Sequence, residues 1–442
     1  MGKKLLFVVT SAVLLGVVFS ISAQAKTEFD WGANLRLRNE FWENWTDVNN
    51  ERIDNRNFFR IKSSLWGKWN FAEDVSLFAK LTNENKPYAY YGRTTGKGEH
   101  YDINELVFDN LYLDVKDVFG LPVDLRIGRQ DFLGIYGEGL VIMDGTPQDG
   151  SRTFYFNALK ASWQIDDKNM LDIIYTNNPR DDIFLPVLNE DNAPQALNTT
   201  DEEAYILYWK NKAVQNLSLE NYYIYKREDD DGGKGYQAEK GIINTLGTYA
   251  KYNFAPYTLR TQIAYQFGEY GEQDRTGLGG FVFLDRSFED FSWKPKATVG
   301  VAYLSGDDKG TSKNEGWDSV FSRWPWMSEF YVLNTVAETG VLGYWTNVQV
   351  YRTQLDLKPT DKLSVSLWYN YLRANEYSSA SSTYSLSGTG KKKGHLPQFK
   401  IGYKINKNIS TYFLAEYFIP GDFYVDSADD GMFLRTEISF KF

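Results

Sequence analysis

The 442-residue sequence predicts an all-β fold, a transmembrane antiparallel β-barrel of 18 strands, from three observations. Apolar and polar residues alternate with period 2 in segment after segment, as in strands with one face in lipid and the other in water. Short polar turns alternate with long loops along the chain. The last alternating segment runs to the final residue, Phe442.

The N-terminus, residues 1–25, has the features of a cleaved secretory signal peptide. Lys3 and Lys4 form a positive start, an apolar stretch follows, and residues 23–25 (Ala-Gln-Ala) form a small-x-small cleavage site. The apolar stretch, about 15 residues, is shorter than the ~20 that a spanning helix needs. Cysteine is absent, which excludes disulfides and thiol chemistry. We therefore expect residues 26–442 to form a single outer-membrane barrel domain.

The first predicted strand covers residues 29–41. Trp31, Ala33 and Leu35 lie on one of its faces, while Arg36 and Arg38 lie on the other. Similar alternation predicts strands at residues 59–71, 75–81, 107–115, 123–127, 159–163, 171–175, 205–209, 217–225, 246–252, 257–267, 297–303, 348–357, 363–371, 399–405, 409–417 and 432–442.

The connections predict which end of the barrel each strand faces. Long loops are expected at residues 42–56, 85–104, 132–152, 178–200, 228–241, 305–343, 374–394 and 420–430. Long extracellular loops that alternate with short periplasmic turns are typical of outer-membrane barrels, which have an even number of strands. The alternation fails only between residues 267 and 297, so we predict an additional descending strand at residues 281–284. The total is then 18 strands, or 16 if two weak segments are not strands.

The last strand supports the same location. Six of its residues share one face: Met432, Leu434, Thr436, Ile438, Phe440 and Phe442. This strand is similar to the C-terminal strands that the barrel assembly machinery inserts, so that machinery and outer-membrane lipid are predicted partners. Pairing of the first strand with the last would remove the exposed edges. The predicted location is the outer membrane of a Gram-negative-type bacterium.

If the apolar residues face lipid, the opposite residues line the lumen, and these are rich in bases although the chain has a net charge of −10. Rings of arginine and lysine favour anions in a pore. An alternative is that these bases pair with inward acids and simply fill the wall. The predicted substrate path is Arg36, Arg38, Arg60, Lys62, Arg126, Arg129, Arg152, Arg260, Arg352 and Arg435, with Asp124, Asp144, Asp149 and Glu416 as acidic partners.

Residues 124–156 carry the most specific pattern. Residues 126–130 (Arg-Ile-Gly-Arg-Gln) are followed at residues 144–154 by Asp-Gly-Thr-Pro-Gln-Asp-Gly-Ser-Arg-Thr-Phe. Together with residues 33–40 and Ser-Gly-Asp at residues 305–307, this pattern resembles the alginate-export family of outer-membrane barrels. The resemblance implies 18 strands and passive passage of a negatively charged polysaccharide through a constriction gated by loops. It assigns the constriction to Arg36, Arg38, Arg126, Arg129 and Arg152, held by Asp144 and Asp149.

Five glycines in this segment suggest how its loop is arranged. Glycine accepts backbone conformations that other residues avoid, so the loop can turn sharply and fold back into the pore. The glycines are Gly134, Gly137, Gly139, Gly145 and Gly150.

The predicted function is an outer-membrane channel for an anionic polysaccharide or oligosaccharide. The alternative is a general porin that prefers small anions, and a remote alternative is an outer-membrane enzyme. The two histidines, His100 and His395, fall in predicted loops, and no nucleophile motif or metal-ligand spacing is present. We therefore expect no catalysis, no cofactor, no metal and no nucleic acid; the sequence identifies no periplasmic partner.

Overall fold

A computed structural model describes residues 28–52, 55–91, 105–144, 156–189, 200–230, 239–322, 326–333 and 345–442. Within these ranges, 18 antiparallel strands form the wall of a closed barrel. They are β1 Glu28–Glu43, β2 Arg56–Asn70, β3 Val75–Asn85, β4 Glu105–Val115, β5 Val123–Gln130, β6 Phe156–Asp166, β7 Asn169–Asn178, β8 Glu202–Asn211, β9 Leu217–Glu228, β10 Gly241–Phe254, β11 Tyr257–Tyr270, β12 Gln273–Ser287, β13 Lys296–Leu304, β14 Val348–Leu357, β15 Leu363–Arg373, β16 Lys392–Lys404, β17 Ile409–Pro420 and β18 Gly431–Lys441.

The predicted strand at residues 281–284 is part of β12, and the count of 18 is confirmed. A two-residue turn, residues 271–272, joins β11 to β12, and the two strands pair along their whole length from Tyr257↔Arg286 to Tyr270↔Gln273. One outer connection is therefore as short as a periplasmic turn. This is why the alternation of long and short connections failed in that part of the sequence.

The barrel closes between β1 and β18. Their register runs from Asn34↔Lys441 to Glu43↔Met432. Two further hydrogen bonds join Ala33 and Phe442, of 3.1 Å from Ala33 N to Phe442 O and 2.8 Å from Phe442 N to Ala33 O. Closure leaves neither terminal strand with an unpaired edge in lipid, as the sequence predicts.

The outward face of the wall is apolar and exposed, which fits contact with lipid. On β8, Tyr205, Leu207 and Trp209 are exposed, whereas their neighbours Ile206 and Tyr208 point inward and are buried. The inward face of the wall is therefore apolar at these two positions of β8. The reason is that loops inside the barrel pack against this part of the wall.

Two outer loops, L3 (the connection 131–155) and L7 (the connection 305–347), enter the barrel. Their described parts, residues 131–144, 305–322, 326–333 and 345–347, contribute to a core inside it. Short strands Ile142–Asp144 in L3 and Phe321–Ser322 in L7 pair in parallel, and Phe321 N donates to Val141 O at 2.9 Å. The buried apolar residues contributed by the two loops are Phe132, Tyr136, Leu140, Val141, Ile142, Trp317, Val320, Phe321, Phe330, Val332, Leu333 and Trp345.

The remaining elements are short. Strands Tyr88–Tyr91 and Val187–Asn189 pair with β2 and β4, and 3₁₀ turns lie at Val118–Gly120 and Tyr331–Leu333. In the part of the chain that the structure describes, no helix has the length and apolar character to cross a membrane.

Candidate functional site

L3 is fixed to the inner wall by polar contacts. The Tyr136 hydroxyl donates to Asp172 Oδ2 at 2.9 Å, and Gly137 N donates to Glu220 Oε2 at 3.0 Å. Gly134, Gly137 and Gly139 have positive φ angles of 70°, 55° and 81°. The prediction that this loop turns back into the pore at its glycines is confirmed for these three. Gly145 and Gly150 lie outside the described residues.

L7 is held in the same way from other strands. Lys226 Nζ donates to Val320 O at 2.8 Å, and Gln266 exchanges two hydrogen bonds with the backbone of Asp318, at 2.7 and 2.9 Å. Trp326 Nε1 of L7 donates to Glu138 O of L3 at 3.3 Å. The described parts of the two loops are therefore joined inside the barrel, and cavities lie between them and the wall.

A basic stretch of wall lies where the barrel closes, and its arginines share buried acids. Arg36 and Arg60 both pair with Glu84, at 2.5 and 2.7 Å, and the Glu84 side chain is buried. Lys62 is the register partner of Arg36 on the next strand. Glu84 lies beyond the end of the strand predicted at residues 75–81. Extending that alternation by three residues would have placed it on the inward face.

A second group of charges joins β1 to β18. Arg38 pairs with Glu437 at 2.7 Å and with Glu40 at 3.3 Å, while Arg435 pairs with Glu40 at 2.6 Å. Arg435 also contacts Glu329 of L7 at 2.5 Å. The basic wall is thus extensively neutralised, as the alternative interpretation of the inward bases expected.

Arg126 differs from these residues because part of its guanidinium faces open space. Its Nε and Nη2 donate to the two Asp114 oxygens at 2.7 and 2.9 Å, and its Cζ lies 4.1 Å from the centre of the Tyr112 ring. The side chain is 34% exposed, and Nη1 makes no hydrogen bond within the described residues. A cavity of about 350 Å³ adjoins it, and Asp131 at the start of L3 also lines this cavity.

Asp131 is an unusual acid. Burial and the nearby Asp109 carboxylate raise the pKa of Asp131 to about 6, although Lys80 and Lys62 oppose this shift. Its Oδ1 is buried and has no hydrogen-bond partner in the part of the chain that the structure describes. Asp131 therefore adds an ionisable side chain to the lining of the cavity beside Arg126.

Arg129, predicted to line the constriction, is 1% exposed. Its guanidinium donates to Asp182 at 2.6 and 3.0 Å, to Phe108 O at 2.9 Å and to Asn157 Oδ1 at 3.1 Å. Asp182 belongs to the outer loop between β7 and β8. Arg129 is thus enclosed by protein groups, and the sequence offered no periodic signal for a partner in that loop.

Arg260 and Arg352 lie together at a second cavity of about 210 Å³. Arg260 donates to both oxygens of Asp285, at 2.7 and 3.0 Å, and also pairs with Glu138. Arg352 Nε donates to Asn370 Oδ1 at 2.8 Å, and no carboxylate of the described chain lies within 4 Å of its guanidinium. The structure brings these two predicted residues to one site, opposite L3 and L7.

The predicted acidic partners lie elsewhere. Asp124 Oδ1 accepts from Asp117 N at 3.2 Å in a periplasmic turn, and Glu416 accepts from Ser328 Oγ and Glu329 N in L7. The side chain of Asp144, together with Arg152 and Asp149, lies outside the described residues.

Comparison with known proteins identifies both a family and a fold. A family model described as alginate export matches residues 27–435. No curated protein matches the chain. Among solved structures, OccAB4 of Acinetobacter baumannii has a TM-score of 0.60 at 11% identity, over 95% of this chain and 99% of that one. A BenF-like porin from Pseudomonas fluorescens Pf-5 has a TM-score of 0.58 at 10% identity, over 94% and 98%. OpdK of Pseudomonas aeruginosa, solved with vanillate, has a TM-score of 0.59 at 10% identity, over 93% and 98%.

Proposed function

We propose that this chain, which belongs to the alginate-export family and is an outer-membrane channel, passes an anionic polysaccharide or oligosaccharide. The observation that carries the proposal is Arg126, which lines a lumen cavity and whose Nη1 makes no hydrogen bond within the described residues. Arg352, which has no carboxylate within 4 Å among the described residues, adds a second positive charge at the other cavity. Passage is passive, through attraction of the anion to these groups.

The remaining predicted arginines shape the path rather than dominate its field. Arg36 and Arg60 share the single Glu84 carboxylate, and Arg435 pairs with Glu40 and Glu329. Opposite unit charges 4 Å apart gain about 1 kcal/mol in bulk water and about 4 kcal/mol near a protein surface. A passing carboxylate is therefore attracted most strongly by cations that are not paired with a carboxylate of the protein, or that keep N–H groups free for a ligand.

The test is ion selectivity in planar bilayers. We expect the wild-type channel to prefer anions under a salt gradient, and the preference to fall in Arg126→Gln and Arg352→Gln. Lys212→Gln, in an exposed periplasmic turn, is the matched control and should leave the reversal potential unchanged. A cation-selective wild-type channel, or equal effects of all three substitutions, would contradict the proposal.

A second candidate is a general porin for small organic anions. It is favoured by the cavity volumes of about 350 and 210 Å³, which suit single small molecules, and OpdK, which shares this fold, was solved with vanillate. The two candidates differ in how current block depends on ligand length. Block that strengthens from a uronate monomer to longer uronate oligomers supports the polysaccharide channel, whereas equal block by monomer and oligomer supports the porin.

A further inference from the structure

We infer that the outside of the barrel carries a binding site for a phosphate group of lipid A, the phosphorylated glycolipid of the outer leaflet. The site consists of Arg373 and Lys392, at the extracellular ends of β15 and β16, and it lies on the lipid side of the wall. Three observations support it: the depth of these two cations in the membrane, the lack of a pairing acid among the described residues, and a bulge that brings the cations together.

The two cations are on the outward face of the wall. Arg373 is the last residue of β15 and Lys392 is the first residue of β16, so both lie at the extracellular end. Arg373 is exposed and alternates in phase with the exposed Tyr369, whereas Leu372 is buried inside the barrel. Arg373 and Lys392 are register partners, and such partners point to the same side of a sheet. The pair therefore faces the membrane and not the lumen.

A band of aromatic rings lies next to the pair and defines its depth. Tyr351, Tyr371 and His395 follow one another across β14, β15 and β16, with ring centroids 5.9 and 5.3 Å apart. The Tyr369 hydroxyl and His395 Nδ1 are 2.6 Å apart. Bands of aromatic residues mark the boundary between hydrocarbon and headgroups in outer-membrane barrels. Arg373, two residues beyond Tyr371, therefore lies at the level of the headgroups.

The pair has no counter-charge in the part of the chain that the structure describes. No carboxylate there lies within 4 Å of the side-chain nitrogens of Arg373 or Lys392. Two acids of the adjoining loops have other contacts. Glu376 pairs with Lys391 at 3.2 Å, and Asp422 Oδ1 accepts from the backbone N of Lys392 at 2.7 Å. Like charges directly opposite each other destabilise a sheet, so an anion from outside the chain would relieve their repulsion.

A β-bulge places Lys392 beside Arg373. Gly394 pairs with the residue before Arg373, but Arg373 itself pairs with Lys392, so the register skips Lys393. The Lys393 side chain is buried, with its Nζ 4.7 Å from the centre of the Phe423 ring. Gly394 permits this course, since its φ is +139° and a Cβ atom there would lie 2.1 Å from a backbone oxygen of β17. Bulges at barrel rims re-aim side chains, and this one brings a second cation to Arg373.

A phosphate ester suits this pair of side chains. A guanidinium binds phosphate oxygens through two parallel hydrogen bonds, and an ammonium adds a compact charge beside it. Clusters of basic residues at headgroup depth recognise anionic lipid headgroups. In the outer leaflet of a Gram-negative outer membrane, the phosphates of lipid A lie at this depth. Lipid A is therefore the occupant that the position and the charge of Arg373 and Lys392 favour.

Native mass spectrometry of the detergent-solubilised full-length protein tests the site. The probes are diphosphorylated lipid A, the same lipid without its phosphates, and inorganic phosphate as a competitor. We expect the wild type to bind diphosphorylated lipid A about tenfold more tightly than the dephosphorylated lipid. Arg373→Gln combined with Lys392→Gln should weaken binding of the diphosphorylated lipid about tenfold. Inorganic phosphate at the concentration of the lipid should not displace it. Heat-modifiable gel mobility verifies that each variant is folded.

Arg227→Gln is the matched control and should bind lipid A as the wild type does. Arg227 also lies on the outward face at the extracellular end of β9, two residues beyond Tyr225, but its Nη2 is 3.9 Å from carboxylate oxygens of both Glu203 and Asp229. The inference is overturned if removal of the phosphates leaves binding to the wild type unchanged, or if the double variant binds lipid A as tightly as the wild type. It is also overturned if Arg227→Gln weakens binding as much as the double variant does. Displacement of lipid A by an equal concentration of inorganic phosphate would equally overturn it, because it would indicate a site for free anions.

Discussion

Arg126 and Arg129 are three residues apart, and we predict that they have different roles. Arg126 contributes to ion selectivity, whereas Arg129 and its partner Asp182 affect stability. Arg129 is buried with Asp182, so Asp182→Ala leaves an uncompensated guanidinium and should cost about 3–5 kcal/mol of stability. A double variant, Arg129→Met with Asp182→Leu, removes both charges and should recover most of that loss, since apolar replacement of a buried pair is often neutral. Arg126→Gln breaks a partly exposed pair, which costs at most about 1 kcal/mol.

Two measurements separate the effects. The temperature at which the folded band disappears from a denaturing gel reports stability, and the bilayer reversal potential reports selectivity. We expect Asp182→Ala to lower that temperature while the double variant does not. We also expect Arg126→Gln to change the reversal potential while the double variant leaves it near the wild-type value, because Arg129 is not exposed to the lumen.

If the double variant lost anion preference as fully as Arg126→Gln, Arg129 would have to face the ion path. If Asp182→Ala unfolded at the wild-type temperature, the Arg129–Asp182 contact would not be a buried ion pair in the membrane.

Three further predictions follow from single acids. Glu84→Gln leaves its two arginine partners without a counter-charge and should increase anion preference while costing about 3 kcal/mol or more in the gel assay; unchanged selectivity would contradict this. Asp131, with a pKa of about 6, becomes neutral as the pH falls below that value, so anion preference should rise between pH 7 and pH 5. Asp131→Asn should hold the preference at its low-pH level, and a variant that still titrates would show that another group is responsible. Glu138→Ala removes contacts of L3 with the wall and should raise single-channel conductance, whereas Asp124→Ala, at the periplasmic start of β5, should not.

The wall of the barrel could be predicted from sequence because the side that each residue faces is set locally, by alternation along its own strand. The same rule placed Arg36, Arg60 and Arg260 inside. Parity then located β12, whose sequence alone was ambiguous. These inferences needed no knowledge of which strands are neighbours.

The partners of the charges could not be predicted in this way. Asp182 reaches Arg129 from a loop 53 residues later, and Glu329 reaches Arg435 from 106 residues away. Loops have no periodicity, so their course inside a barrel depends on packing that only the assembled wall defines. The same cause explains Ile206. Alternation places this residue on the inward face, where polar side chains are usual, but it is buried because loops pack inside the barrel.

The charges at the junction of β1 and β18 have a consequence for biogenesis. Glu40 meets Arg435 and Arg38 meets Glu437 across 395 and 399 residues of chain. Neither contact can form until the last strand has been synthesised and delivered, and closing so long a loop has an entropic cost. A chain that lacks its last strand therefore loses these contacts and keeps an open backbone edge, which lipid penalises. Pairing of β1 with β18 therefore contributes to the free energy of barrel closure. Once the barrel has closed, separating the two strands is part of the unfolding barrier that sets the lifetime of the protein in the membrane.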